Sequence, residues 1–267
     1  MNLSFHKLVG AGNDFIFVND SDFPETAQRA ELAKKICNRK FGIGADGLVF
    51  MAPIDKGLAL LKWDFYNNDG SRAEMCGNAA RCAVRYLNLM FGVESCQFET
   101  LAGLVTGRLE EANVRVQWDI KNTSLEKIDL TISANKNISG YFINTGVPHF
   151  VIINSEQPLL ENDCLLIQGH AYFGKEQTNV TLLESKPDGS NKTKTFERGV
   201  REFTLACGTG VIASAFVLQK MNPLEIYNLE VPGGKLQVQL EGKTAHLIGP
   251  AEMVFKGSLL TNEVNHV

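Results

Sequence analysis

The sequence predicts an α/β (α+β) protein built from two similar halves, and three observations carry that expectation. Cys76-Gly77-Asn78-Ala79-Ala80 opens an apolar stretch with helical character, and Cys207-Gly208-Thr209-Gly210-Val211 opens another 131 residues later. Glu99-Thr100-Leu101-Ala102-Gly103 follows the first cysteine at the interval at which Glu230-Val231-Pro232-Gly233-Gly234 follows the second. Around both, short strand-like runs alternate with turn residues, and no Pro/Ser-rich linker intervenes. Duplication of one half accounts for all three.

The elements can be justified in chain order. Phe15-Ile16-Phe17-Val18 is aromatic and β-branched, as a strand requires, and Glu25 to Lys40 carries helical spacing through Ala30, Leu32, Ala33 and Ile36. A Gly-rich loop, Phe41 to Gly47, leads into the strand-like Leu48-Val49-Phe50. Leu58 to Tyr66 reads as a strand that ends in the turn Asn67-Asn68-Asp69-Gly70-Ser71. The first cysteine helix then runs from Cys76 to about Met90. Strands dominate residues 96–153, with alternation in Val114–Trp118 and Ile128–Ile132 and a denser run in Phe150–Ile153. The second half reads as strand, polar loop, strand near Lys194-Thr195-Phe196, turn, cysteine helix to about Lys220, and strands from Ile226. Lys186-Pro187-Asp188-Gly189-Ser190-Asn191 predicts an exposed hairpin loop. The boundary falls near Trp118 to Asn122. Residues 1–118, completed by a returning segment 250–267, form the N-terminal half, and residues 119–249 the C-terminal half.

Composition narrows the function. The 267 residues are 44% hydrophobic and 21% charged, enough material for two cores of roughly 100–150 residues each. The net charge of −4 is spread without a basic block, which argues against nucleic acid or an anionic membrane as partner and favours a small molecule. No apolar run approaches the length of a membrane span, and Met1-Asn2-Leu3-Ser4-Phe5-His6-Lys7 lacks the pattern of a signal peptide, so a cytoplasmic location is expected. Six cysteines in such a chain are too sparse for a disulfide scaffold, and Cys76 and Cys82 have no matching ligand pair for zinc. No metal is expected.

The chemistry resides in the repeated turn. A helix N-terminus favours a thiolate, and its unpaired N–H groups can hold a carboxylate. Two such turns approaching one substrate from opposite sides would let one sulfur take an α-proton while the other delivers one, inverting the centre with no cofactor. That suits a racemase or epimerase. The scheme needs one cysteine ionised and one protonated, and His149 and Glu197 are the candidate tuners. A lone cysteine beginning a helix is more often a small buried hydrophobe; the matched pair is what favours catalysis. Cys37, Cys82, Cys96 and Cys164 read as ordinary core or surface thiols, and His6, His170, His246 and His266 lack matched surroundings.

Seven ordered motifs then give the chain a resemblance that spans nearly its whole length: Gly10–Phe15, Gly42–Gly47, Tyr66–Ser71, Met75–Cys82, Asn144–His149, Glu197–Val200 and Ala206–Gly210. It resembles the diaminopimelate epimerase family, cofactor-independent enzymes that interconvert LL- and meso-diaminopimelate in lysine and peptidoglycan precursor synthesis. The resemblance implies two pseudo-symmetric halves, each a curved mixed sheet around a central helix, with the active site in the cleft between them, and a homodimer. It implies that Cys76 and Cys207 are the acid/base pair and that His149 and Glu197 adjust their ionisation. Asn13, Asn67, Asn179, Glu197 and Arg198 would bind the substrate, with Arg198 the bidentate partner of a carboxylate. The turns Gly77-Asn78 and Gly208-Thr209 would complete the carboxylate cradle.

Three positions depart from the family's commonest pattern. Val147 stands where many members have Asn, Ala79 where they have Gly, and Phe203 where they have Glu. These departures bear on specificity. The rival readings are a two-thiol racemase acting on another amino acid, a non-catalytic amino-acid-binding module, and a cysteine hydrolase; the last lacks a Cys-His-Asn signature and needs only one thiol.

Overall fold

A computed structural model of the protein describes residues 2–51, 60–155 and 157–260. Leu58 and Ala59, the expected start of one strand, and His266 lie outside the described residues. The chain divides into two compact units, Met1–Trp118 with Gly249–Val267, and Asp119–Ile248.

The first unit comprises β1 (Asn2–Gly10), β2 (Asn13–Asn19), α1 (Arg29–Ile36), β3 (Gly47–Met51), β4 (Leu60–Asn67), α2 (Gly77–Phe91), β5 (Ser95–Thr100), β6 (Gly103–Glu110) and β7 (Asn113–Asp119). The second comprises β8 (Glu126–Ser133), β9 (Lys136–Asn144), β10 (Pro148–Ile153), α3 (Glu161–Gln168), β11 (Asn179–Ser185), β12 (Asn191–Phe196), α4 (Gly208–Met221), β13 (Ile226–Val231), β14 (Gly234–Glu241) and β15 (Thr244–Gly249). The chain then returns to the first unit as β16 (Glu252–Leu260), which pairs antiparallel with β1.

Within each unit the strand order and the directions match. The first sheet runs β16-β1-β2-β3-β4-β5-β6-β7 and the second β8-β9-β10-β11-β12-β13-β14-β15. In both, the neighbours are antiparallel except at two places. β2 is parallel to β3 and β4 to β5; correspondingly β10 is parallel to β11 and β12 to β13. A parallel neighbour needs a long crossover, and the four helices supply the four crossovers. This is the expected α+β architecture of two mixed sheets.

α2 packs against β16, β1, β2 and β6, strands drawn from both ends of its sheet, which therefore curls around the helix. α4 is wrapped likewise by β9 through β14. A helix so enclosed should be buried on all sides, and α4 is buried at every position from Gly210 to Leu218. α1 and α3 cover the other faces. Leu32, Ala33 and Ile36 pack on Ile16, Leu48 and Phe50 in one unit, and Cys164 and Ile167 on Phe150, Val180 and Phe196 in the other.

Two helical expectations need correction. Helical spacing was read from Glu25 to Lys40, but α1 ends at Ile36: Asn38 Oδ1 accepts the N–H groups of Lys40 and Phe41 at 2.9 and 3.0 Å, a local alternative to helical bonding. The polar loop expected before the strand near Lys194 contains α3, the counterpart of α1; its first turn is closed by Asp163, which accepts the N–H of Leu160 at 3.0 Å. The hairpin at Lys186–Asn191 is present, with Gly189 at φ 83°.

Candidate active site

Both repeated cysteines occupy the same structural place. Cys76 caps α2 with extended backbone (φ −140°, ψ 120°), and Cys207 caps α4 in the same way (φ −114°, ψ 106°). Each cap carbonyl accepts the first helical bond, from Ala80 at 2.8 Å and from Val211 at 2.9 Å. The N–H groups of Gly77-Asn78 and Gly208-Thr209 precede those bonds and carry the positive end of the helix dipole. All six cysteines are thiols, and both capping cysteines are partly exposed.

The surroundings of the two turns differ. In the first unit Asn78 is buried; its Nδ2 donates to Asn13 Oδ1 at 2.6 Å, and Asn13 Nδ2 donates to Asp46 Oδ2 at 2.9 Å. Arg39 bridges Asp46 and Asp14, each at 2.7 Å, and Lys7 pairs with Asp14 at 2.7 Å and donates to the carbonyl of Gly44. Burial alone would raise the Asp14 carboxyl, but Arg39 and Lys7 hold it below its usual range. Asn13 is thus fixed by a charged cluster on one side and by Asn78 on the other. Asn67, at the end of β4, donates through Nδ2 to Ser71 Oγ at 3.0 Å.

In the second unit a chain of neutral groups runs beneath the turn. Cys207 Sγ lies 3.4 Å from Thr209 Oγ1, which lies 2.9 Å from His149 Nε2. His149 Nδ1 is 2.9 Å from Thr181 Oγ1, and that hydroxyl is 3.1 Å from Thr195 Oγ1. Burial, then the charge of Arg198, pulls His149 down to about 3, so its imidazole is neutral at pH 7. A neutral ring has one N–H, and its tautomer sets the direction of the chain. With the proton on Nε2 the ring donates to Thr209, whose own proton can point at sulfur. In the other tautomer Thr209 donates to the ring and can accept from a Cys207 S–H. One chain therefore accommodates both ionisation states of the sulfur.

The remaining expected residues gather beside β11 and β12. Asn179 is buried; its Nδ2 donates to the carbonyl of Pro148 at 3.2 Å and its Oδ1 accepts the Arg198 N–H at 2.9 Å. The Arg198 guanidinium donates through Nη1 to the carbonyl of Glu176. Glu197 Oε1 accepts from Thr204 at 2.7 Å. Of the departures from pattern, Phe203 sets its ring edge-on to Phe196 with centroids 5.3 Å apart and lies under Lys194, so it serves core packing. Asp46, Thr145, Thr181, Thr195 and Arg81 were not singled out from sequence. Thr145 Oγ1 donates to the carbonyl of Thr209 at 3.0 Å and braces the turn. Asp46, Thr145 and Arg81 lie inside the ordered motifs, and Arg81 is marked further as a charge inside the apolar run Ala79–Val84.

Solved structures with this fold define a class. The chain superposes on a phenazine biosynthesis PhzF family protein from Enterococcus faecalis with a TM-score of 0.73 at 13% identity, covering 97% of this chain and 100% of that one. It superposes on a hydroxyproline epimerase from Agrobacterium vitis with a TM-score of 0.68 at 13% identity, covering 97% and 92%. The fold is that of the PhzF and epimerase proteins. Within it, the family model for diaminopimelate epimerase matches residues 5–124 and 141–254. The chain is 35% identical to a diaminopimelate epimerase from Aquifex aeolicus, over 96% of this chain and 98% of the relative. It is 36% identical to one from Carboxydothermus hydrogenoformans over the same shares. The chain belongs to the diaminopimelate epimerase family and is an isomerase of the epimerase type.

Proposed function

We propose that the protein interconverts LL-2,6-diaminopimelate and meso-diaminopimelate by passing an α-proton between Cys76 and Cys207 without a cofactor. The observation that carries this reading is the recurrence of a partly exposed cysteine at the N-cap of each enclosed helix. One sulfur, as thiolate, takes the α-proton. The electron pair left on carbon spreads into the adjoining carboxylate, and the thiol of the other cysteine protonates the opposite face. The charge moves from one sulfur to the other, and the reverse reaction begins from that state. The scheme requires the two sulfurs to reach opposite faces of one α-carbon.

The developing negative charge falls on the carboxylate, which the N–H groups of Gly77-Asn78 and Gly208-Thr209 are suited to receive. His149 acts on Cys207 through Thr209, and Glu197 supplies a second influence on thiol ionisation. Arg198 takes the substrate's far carboxylate, and Asn13 and Asn67 its other polar groups. Asn179 acts through Arg198, whose backbone it holds. The protein works as a homodimer in the cytoplasm, and its product feeds lysine and peptidoglycan precursor synthesis.

The test is α-proton exchange in D₂O with LL-diaminopimelate, under reducing conditions. Deuterium incorporation with inversion, reduced by about 10²–10⁴-fold in Cys76→Ala and in Cys207→Ala, is expected. Exchange confined to a different amino acid overturns the substrate, and exchange that survives either substitution overturns the two-thiol scheme.

A further inference from the structure

The first unit contains a charge that no carboxylate among the described residues answers. Arg81 lies on the second turn of α2 and is wholly buried. Its guanidinium is held by neutral oxygens: Nη2 donates to Asn78 Oδ1 at 2.8 Å, Nη1 to the carbonyl of Gly77 at 3.3 Å and Nε to that of Pro250 at 3.4 Å. The acids on the packed strands do not meet it: Glu252 stands exposed at the start of β16, and the other two are bound by other cations. Asp14 is bound by Lys7 and Arg39, and Glu110 by Arg108 and Arg115. Arg85, the other cation of the helix, donates to the carbonyls of Ala251 and Ala112.

A buried cation without an anion is costly, so its surroundings favour whichever group can ionise to meet it. The titratable groups whose charge Arg81 feels are Cys82 and Cys76. Cys82 is wholly buried, and burial pushes its thiol up to about 12, so it stays protonated. Burial pulls Arg81 itself down to about 10, which still leaves it charged at pH 7. Cys76, five residues before Arg81 and at the positive end of the same helix, is the anion left to answer it.

The second unit has no cation at the matching helix position. The position 131 residues on is Ile212, wholly buried in α4. Among the groups under the Cys207 turn are the hydroxyls of Thr209, Thr181 and Thr195 and the neutral ring of His149, while Arg198 is partly exposed and bonded to the carbonyl of Glu176.

We infer that Arg81 is the counter-cation of a Cys76 thiolate, so that the resting protein carries its negative charge on Cys76 and its thiol proton on Cys207. The inference deepens the two-thiol reading and rests on it. It breaks the symmetry of the repeat, because the isomer bound productively by resting protein is then the one whose α-proton faces Cys76. Arg81 acts through Cys76 and touches no reacting atom, so it is a positioning residue.

Iodoacetamide alkylates thiolates, and peptide mass spectrometry follows each cysteine separately across a pH series in the full substrate-free chain. The Cys76 profile should lie below that of Cys207 by at least about one pH unit, a tenfold rate difference at pH 7 for equal access. Arg81→Met should move the Cys76 profile upward by a similar amount and leave that of Cys207 in place, and Arg81→Lys should restore part of it. A Cys207 profile below that of Cys76 in the unaltered protein, which depends on no variant folding, overturns the inference. So does a Cys76 profile indifferent to Arg81→Met. Exchange in D₂O, run on the same samples, separates the two claims: exchange with the reversed order sinks only the Arg81 assignment, whereas the expected order without exchange upholds that assignment and sinks the two-thiol reading.

Discussion

His149 and Thr209 are joined by a 2.9 Å contact between Nε2 and Oγ1, and the same hydroxyl lies 3.4 Å from the sulfur of Cys207. The imidazole therefore reaches the sulfur through one rotatable O–H. Thr209→Val keeps the shape and removes that link. It should lower kcat by about 10–10²-fold with a smaller change in KM, and Thr209→Ser should recover most of the loss. Equal kinetics for the Val and Ser variants would discard the hydroxyl's role.

The neutral state of His149 has a consequence for stability. Its folded-state value lies near 3, against an ordinary 6.5, because burial penalises the charged ring. Between those values the unfolded chain holds the extra proton, so stability rises with pH and is lost progressively as pH falls from about 6.5 towards 3. Urea unfolding across that window should show a flatter pH dependence in His149→Gln than in the unaltered protein.

Gly210 permits the first turn of α4 to lie against the same chain. A Cβ at this position would sit 2.3 Å from Thr195 Oγ1, 3.2 Å from Thr181 Oγ1 and 3.3 Å from His149 Cε1. Gly210→Ala should destabilise by about 1–3 kcal/mol through overpacking. Adding Thr195→Ala removes the closest atom and should return part of that loss in chemical denaturation.

Asn179 ties the carbonyl of Pro148 to the backbone N–H of Arg198. Asn179→Ala should loosen the Arg198 turn and raise KM for diaminopimelate about tenfold, the equivalent of one such bond, with a lesser effect on kcat. An unchanged KM would separate Arg198 from substrate binding.

Much of this was legible in the chain because a repeat is seen twice. The two Cys-Gly turns marked the starts of α2 and α4 directly, and the equal spacing to Gly103 and Gly234 marked the duplication, both glycines opening equivalent strands, β6 and β14. α3 was hidden because Glu161–Gln168 exposes Leu165 and Leu166 while burying Gln168 with Cys164 and Ile167, so its apolar residues do not follow the buried face with a clear helical period. At the site, residue types showed which turns hold the thiols but not which hydroxyls lie beneath them. Thr181 and Thr195 face each other across paired strands, a matter of register that no single segment reveals. Nor could spacing show that Asn179 would hold the backbone of Arg198, since Asn179 opens β11, Arg198 lies in the turn after β12, and the two meet only once those strands pair.

The return of β16 to pair with β1 orders events during synthesis. All of residues 119–248 leave the ribosome before Glu252–Leu260 exists, so the second unit can close while the first still waits for its outermost strand. The unit that begins the chain is therefore completed by the last of the described strands. Until that strand arrives, β1 presents an open row of backbone donors and acceptors, an edge that the finished fold covers with residues made about 240 positions later.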